Sequence, residues 1–106
     1  MAENSTLPIS IAGHNFYCLI DSGAAVTAVS AKVWRECLSH AFPSLDKCTS
    51  ECETSVNECQ LTTIGKLLVE FVIDFHASPF EAHVIEDLTC DVILGRDFLQ
   101  KILFHG

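Results

Sequence analysis

One acid in this chain stands where chemistry is expected of it. Asp21 follows the apolar run Tyr17, Cys18, Leu19, Ile20 and opens the turn Ser22-Gly23-Ala24. Gly23 lets backbone come close to the carboxylate, and the Ser22 hydroxyl can bond across the turn. A carboxylate delivered by an apolar strand into such a turn suits general acid and base work. That work commonly needs two acids held in opposite protonation states, yet the chain offers a single Asp-Ser-Gly. A symmetric dimer with Asp21 of each copy on its axis would supply the pair.

The other nucleophiles and ligands do not gather into a rival site. Cysteines stand at 18, 37, 48, 52, 59 and 90, and histidines at 14, 40, 76, 83 and 105, without the close Cys-x2-Cys pair usual in zinc sites. A Cys-His peptidase would need a thiol in an activated setting, and nothing marks one. No metal and no cofactor is expected. Residues 1–11 lack a basic start followed by an apolar core, so no secretory signal is read and the protein is expected to be intracellular. The cysteines then read first as reduced thiols; a Cys52–Cys59 bridge across a hairpin stays open, as does the state of Cys48.

With 106 residues and 49% apolar side chains, the chain is read as one domain over residues 1–106. A chain of this size buries roughly two-thirds of its surface. Net charge is −8, from 14 acids against six Lys and Arg that are scattered along the sequence. Nucleic acid is therefore not expected as a direct partner, because phosphate binding needs a concentrated basic surface. The acidity reads first as solubility and second as steering of basic peptides. The long apolar stretch 64–75 is broken by Gly65, Lys66, Glu70 and Asp74, so no membrane span is expected.

The elements that must position Asp21 are mostly strands. Residues 8–11 and 16–20 flank Gly13-His14-Asn15, which has the residues of a hairpin turn. Residues 26–30 read as a buried strand, and Ser30 can cap a helix over 31–38 with Arg35 and Glu36 facing solvent. Residues 39–59 are polar and irregular and read as loop. In 66–75, Val69, Phe71, Ile73 and Phe75 share one face of a strand, with Glu70 and Asp74 on the other. Ser78-Pro79 should break it before a second strand at 80–85. Residues 92–94 form a short apolar strand, 95–101 a short helix, and 102–104 a last strand. Short strands with closely spaced turns favour an all-β, closed or sandwich-like architecture.

An Asp-Ser-Gly tripeptide alone is more often an ordinary turn. Here Leu19-Ile20-Asp21-Ser22-Gly23-Ala24 is answered about seventy positions later by Asp91-Val92-Ile93-Leu94-Gly95-Arg96-Asp97-Phe98-Leu99. In this pairing the chain resembles the retropepsins, the aspartic proteases of retroviruses and long-terminal-repeat retrotransposons, over residues 7–104. The resemblance implies a closed β-barrel subunit with one short C-terminal helix, forming a twofold-symmetric dimer. Asp21 of each copy would share one proton and a water, since two adjacent carboxylates cannot both ionise cheaply. Ser22 would hold the two loops together, Gly23 would offer its carbonyl to substrate, and Ala24 would lie near the cleft floor. Ile93 and Leu94 would pack beneath the loop and line part of the cleft, with Gly95 and Arg96 as a brace. A mobile hairpin, the flap, would fall between Glu51 and Thr63, with Val56, Asn57 and Glu58 near its tip.

Several features depart from the retropepsin pattern. The expected flap has no glycine between Glu51 and Thr63, so Asn57 would have to take any positive φ at its tip. The arginine that often pairs with an acid after the active-site Gly-Ala faces Ala25 here, so Arg96 must pair elsewhere or stay solvated. Short ends, 1–6 and 102–106, imply a reduced dimer interface. The expectation is a homodimeric aspartic endopeptidase cutting extended, largely apolar segments of a polypeptide, processing a retroelement polyprotein in the cytoplasm or in a virus-like particle. The alternatives are a catalytically weak dimerisation or peptide-binding module and a host regulatory retropepsin-like protease.

Overall fold

In the computed structural model, which describes residues 5–46, 53–56 and 59–104, strands β1 (Ser5–Ile11) and β2 (His14–Ile20) form the first hairpin. Its register runs from Ser5↔Ile20 to Ile11↔His14, so the connection is the two-residue loop Ala12-Gly13. Both residues have positive φ, 51° and 86°, the backbone twist that joins two antiparallel strands without splaying them. The turn thus lies one residue earlier than the sequence suggests, and His14 and Asn15 belong to β2.

Strand β3 (Ala28–Ser30) leads directly into the helical turn α1 (Ala31–Val33). Ser30 caps it as expected, its Oγ accepting from Lys32 N at 3.1 Å. Instead of continuing as one α-helix to residue 38, the chain widens to π geometry over Trp34–Leu38, closed by Ser39 N donating to Trp34 O at 2.7 Å. Arg35 and Glu36 face solvent. Trp34 Nε1 then donates to Phe42 O at 2.9 Å and ties the following segment to the turn.

Strand β4 (Glu53–Val56) falls inside the stretch read as loop and corrects it: it pairs with β5 (Cys59–Ile73) from Glu53↔Thr62 to Val56↔Cys59. Polar residues there carry little period-2 signal, and the pairing comes from β5. The proposed Cys52–Cys59 bridge, Cys48, and the tip residues Asn57 and Glu58 lie outside the described residues or side chains.

Strand β6 (His76–Ile85) returns from β5 through Asp74-Phe75, Asp74 taking φ 55°. Phe75 is therefore fully exposed at the hairpin tip and not on the core face with Val69 and Phe71. Pro79 does not break the strand; it pairs with Glu70 inside β6. Its carbonyl accepts from Lys101 Nζ at 2.9 Å, on the side away from β5. In a strand the N and O of one residue point to the same side, so the missing N–H removes no bond of the β5–β6 ladder.

Strand β7 (Val92–Leu94) lies between β2 and β3, parallel to the first and antiparallel to the second. All three of its residues are buried, which is why it reads as an unbroken apolar run. The order β1-β2-β7-β3-β6-β5 closes through Ser10↔Val72 and Ile11↔Phe71, giving a six-stranded barrel with β4 appended to β5. Helix α2 (Arg96–Phe104) covers one end. It includes residues 102–104, expected as a strand: a short apolar run does not tell strand from helix, and extending an existing helix costs less than starting a new element. Phe98 is 2% exposed and packs against Phe80 and Phe71, with ring centroids at 4.9 and 5.5 Å. Among the described residues no helix is long and apolar enough to cross a membrane.

Candidate active site

Asp21 sits where the parallel β2–β7 ladder ends, one residue beyond the pair Ile20↔Leu94. Its backbone N donates to Leu94 O at 3.1 Å, so β7 fixes the point at which the chain leaves the barrel wall. The turn then curls around the acid. Gly23 N donates to Asp21 Oδ1 at 2.9 Å and Ala24 N to Asp21 O at 3.1 Å. A Cβ on Gly23 would come within 3.1 Å of Asp21 Oδ1, so a larger residue would crowd the carboxylate.

The loop has an exposed crest and a buried foot. Ser22, Gly23 and Ala25 are exposed, whereas Ala24 is completely buried against Ile93, with Leu19, Leu88 and Cys90 around them. The second carboxylate oxygen, Asp21 Oδ2, is buried and has no hydrogen-bond partner among the described residues. A buried polar oxygen left in this way is costly, and a partner or a proton relieves the cost.

The far side of the loop rests on the segment that joins β7 to α2. Arg96 N donates to Ala24 O at 2.9 Å, and Gly95 N donates to Thr27 Oγ1 at 3.1 Å. Thr27 Oγ1 in turn donates to Asp97 Oδ1 at 2.8 Å. The local sequence around Thr27 and Asp97 marks neither residue as part of the site. The available signal was a single hydroxyl between Val26 and Ala28-Val29, because a buried hydroxyl on a strand must find a partner.

Two titratable neighbours respond to this setting. Burial pushes the Cys90 thiol up, and the carboxylates of Asp91 and Asp21 push it the same way. Cys90 lies in the bend before β7. On the other side of the loop, His83 N donates to Thr27 O at 3.0 Å. Burial holds the His83 imidazole below the usual histidine range, helped by Lys66 and opposed by Asp97 and Glu81.

Chain comparison decides the family. The family model described as "gag-polyprotein putative aspartyl protease" matches residues 7–101. The chain belongs to this family of aspartyl proteases. Solved structures agree on the fold. The retroviral protease-like domain of Ddi1 from Leishmania major is 20% identical, with a TM-score of 0.74 over 95% of this chain and 78% of that one. EIAV protease in complex with the inhibitor HBY-793 gives 17% and 0.69, over 94% and 88%. A retropepsin-like aspartic protease from Rickettsia conorii gives 18% and 0.63, over 92% and 71%. No curated protein sequence matches the chain.

Within this aspartyl protease fold, Asp21 to Ala24 and Ile93 to Arg96 form one locality, joined by the bonds above. Ile93 and Leu94 are each 1% exposed, beneath the loop. The Arg96 side chain is exposed and has no ion pair among the described residues. Val56 ends β4, with Asn57 and Glu58 outside the described residues.

Proposed function

We propose that two copies of this chain form one aspartic endopeptidase, with Asp21 of each copy meeting on the twofold axis. The observation that carries this reading is the Asp21 carboxylate, held by Gly23 N where the parallel β2–β7 ladder ends, on a loop whose Ser22 and Gly23 face outward. Two such carboxylates brought together on the axis could not both ionise cheaply and would share one proton. In the pair, the ionised carboxylate takes a proton from a water that attacks the peptide carbonyl. The protonated carboxyl gives its proton to the carbonyl oxygen. On collapse of the resulting diol the first carboxyl passes the water's proton to the departing nitrogen and the second recovers one from a diol hydroxyl, releasing the amine and the new carboxyl end and restoring the shared-proton pair. Ser22 would link the two loops, the β4–β5 hairpin would cover an extended polypeptide, and Ile93 and Leu94 would support the floor. The substrate is a polypeptide, and the family's gag-polyprotein description supports processing of a retroelement polyprotein in the cytoplasm or a virus-like particle.

The test is digestion of a peptide library at acidic to neutral pH, with sedimentation over a range of concentrations. The wild-type chain should cleave, with specific activity falling on dilution as dimers separate. Asp21→Asn should lose cleavage while keeping the fold and the dimer. Cleavage undiminished in Asp21→Asn sinks the proposal, and a folded, dimeric wild-type chain that cuts nothing leaves a peptide-binding module in its place.

A further inference from the structure

A single hydroxyl holds the return limb of the acid's loop. Thr27 is completely buried, and its Oγ1 serves two bonds at once, accepting from Gly95 N at 3.1 Å and donating to Asp97 Oδ1 at 2.8 Å. The same Asp97 oxygen accepts from Phe98 N at 2.7 Å, so the carboxylate links the loop to the first turn of α2. Side-chain packing does little to shape the crest, because Ser22, Gly23 and Ala25 are exposed. Its shape is set from beneath, where Arg96 N donates to Ala24 O at 2.9 Å, and at its two ends. Asp21 N is fixed to Leu94 O on entry, and Thr27 to Gly95 and Asp97 on exit, so both ends are referred to the one continuous segment 94–97.

We infer that Thr27 and Asp97 are positioning residues for Asp21, setting the orientation of its carboxylate by fixing the loop's exit against the β7–α2 junction. The inference rests on the peptidase reading and names further residues on which that reaction depends. If the exit moves, Ala24 and Gly23 move with it, and their amides are what hold Asp21 O and Oδ1. Asp97 Oδ1 acts only as an acceptor in both of its bonds, so an amide oxygen in its place meets the same need without a charge.

Four variants test this: Thr27→Val, which keeps the shape and removes the hydroxyl, Thr27→Ser, Asp97→Ala and Asp97→Asn. Each is checked for folding by thermal denaturation and then read by kcat, KM and amide hydrogen exchange at Gly23 and Ala24. Thr27→Val and Asp97→Ala should lower kcat by about tenfold to a hundredfold, the usual effect of a small misplacement of reacting groups, with KM largely kept. Exchange at Gly23 and Ala24 should quicken by about tenfold, as for the loss of one hydrogen bond. Thr27→Ser and Asp97→Asn should restore both readouts. Asp97 is only half-buried, so the Asp97 pair carries the test if Thr27→Val does not fold.

Wild-type kcat and exchange in folded Thr27→Val or Asp97→Ala overturn the inference. So does a fall in kcat that matches the unfolded fraction while exchange at Gly23 and Ala24 is unchanged, and so does Asp97→Asn behaving like Asp97→Ala. If the wild-type chain cleaves nothing, the peptidase reading fails on its own. The exchange comparison still decides the positioning: faster exchange at Gly23 and Ala24 supports it, and unchanged exchange overturns it.

Discussion

Gly95 lies against the backbone of Val26 at a separation that admits no side chain. A Cβ there would stand 2.5 Å from Val26 C and 2.9 Å from Ala24 O. The contact lets the chain leaving β7 pass directly under the loop that carries Asp21, and it is what allows Gly95 N to reach Thr27 Oγ1. Gly95→Ala would push backbone against backbone, where no rotamer change gives relief. The expected loss is about 3 kcal/mol or more, at or above the upper end for overpacked cores, measured by urea denaturation. A stability equal to wild type would mean that the loop can be lifted without cost.

Gly65 presents the same problem against a side chain. It follows the register shift in β5 between Thr63 and Gly65, and a Cβ on it would lie 2.6 Å from Leu45 Cβ. Leu45 cannot step aside freely, because its neighbour Asp46 exchanges both backbone bonds with Lys66, at 3.0 and 2.8 Å. Gly65→Ala should therefore destabilise the fold by about 1–3 kcal/mol. The cost should shrink when Leu45→Gly is already present. A double-mutant cycle should give a coupling of about 0.5–3 kcal/mol, and additive effects would show that the two positions do not meet.

The parts of the site that were legible in the sequence are those set by local chemistry. A strand of apolar residues ending in Asp21, a glycine two positions on, and the run Val92 to Leu94 all carry their own signals, and the fold joins them through Asp21 N and Leu94 O. What escaped was decided by partners distant in sequence. Pro79 is tolerated because its N faces away from β5, a matter of register that the proline itself does not reveal. Phe75 continues the alternation of β5 in sequence, yet the hairpin turns one residue before it. Thr27 gains its meaning only when Asp97, far along the chain, is folded beside it.

Phe75 offers a test of that reading. Its side chain is completely exposed at the β5–β6 tip, so it contributes no core burial in the subunit. Phe75→Thr should leave the free energy of unfolding in urea unchanged within about 0.5 kcal/mol, as for other surface substitutions, and should improve solubility. A loss of several times that size would place the ring in a contact, within the subunit or with another copy.

His83 gives the fold a pH dependence of definite sign. Its imidazole lies on β6 with Thr63 Oγ1 at 3.4 Å from Nδ1 and with Lys66, Glu81 and Asp97 as the charges that act on it. Burial is the main cause of a folded-state value below that of the unfolded chain, which is about 6.5 for histidine. Above that pH neither state is protonated at this site, and its contribution to stability is complete. As pH falls below it, the unfolded chain takes up a proton that the folded chain refuses, so stability declines until the folded value is passed. Glu86, held low by Arg35, loses its contribution only below the ordinary glutamate value of 4.5, so the two windows do not coincide. Urea midpoints followed from pH 7.5 to 5 should fall in the wild-type chain, and His83→Gln should flatten that slope. An equal slope in the variant would assign the acid sensitivity to other groups.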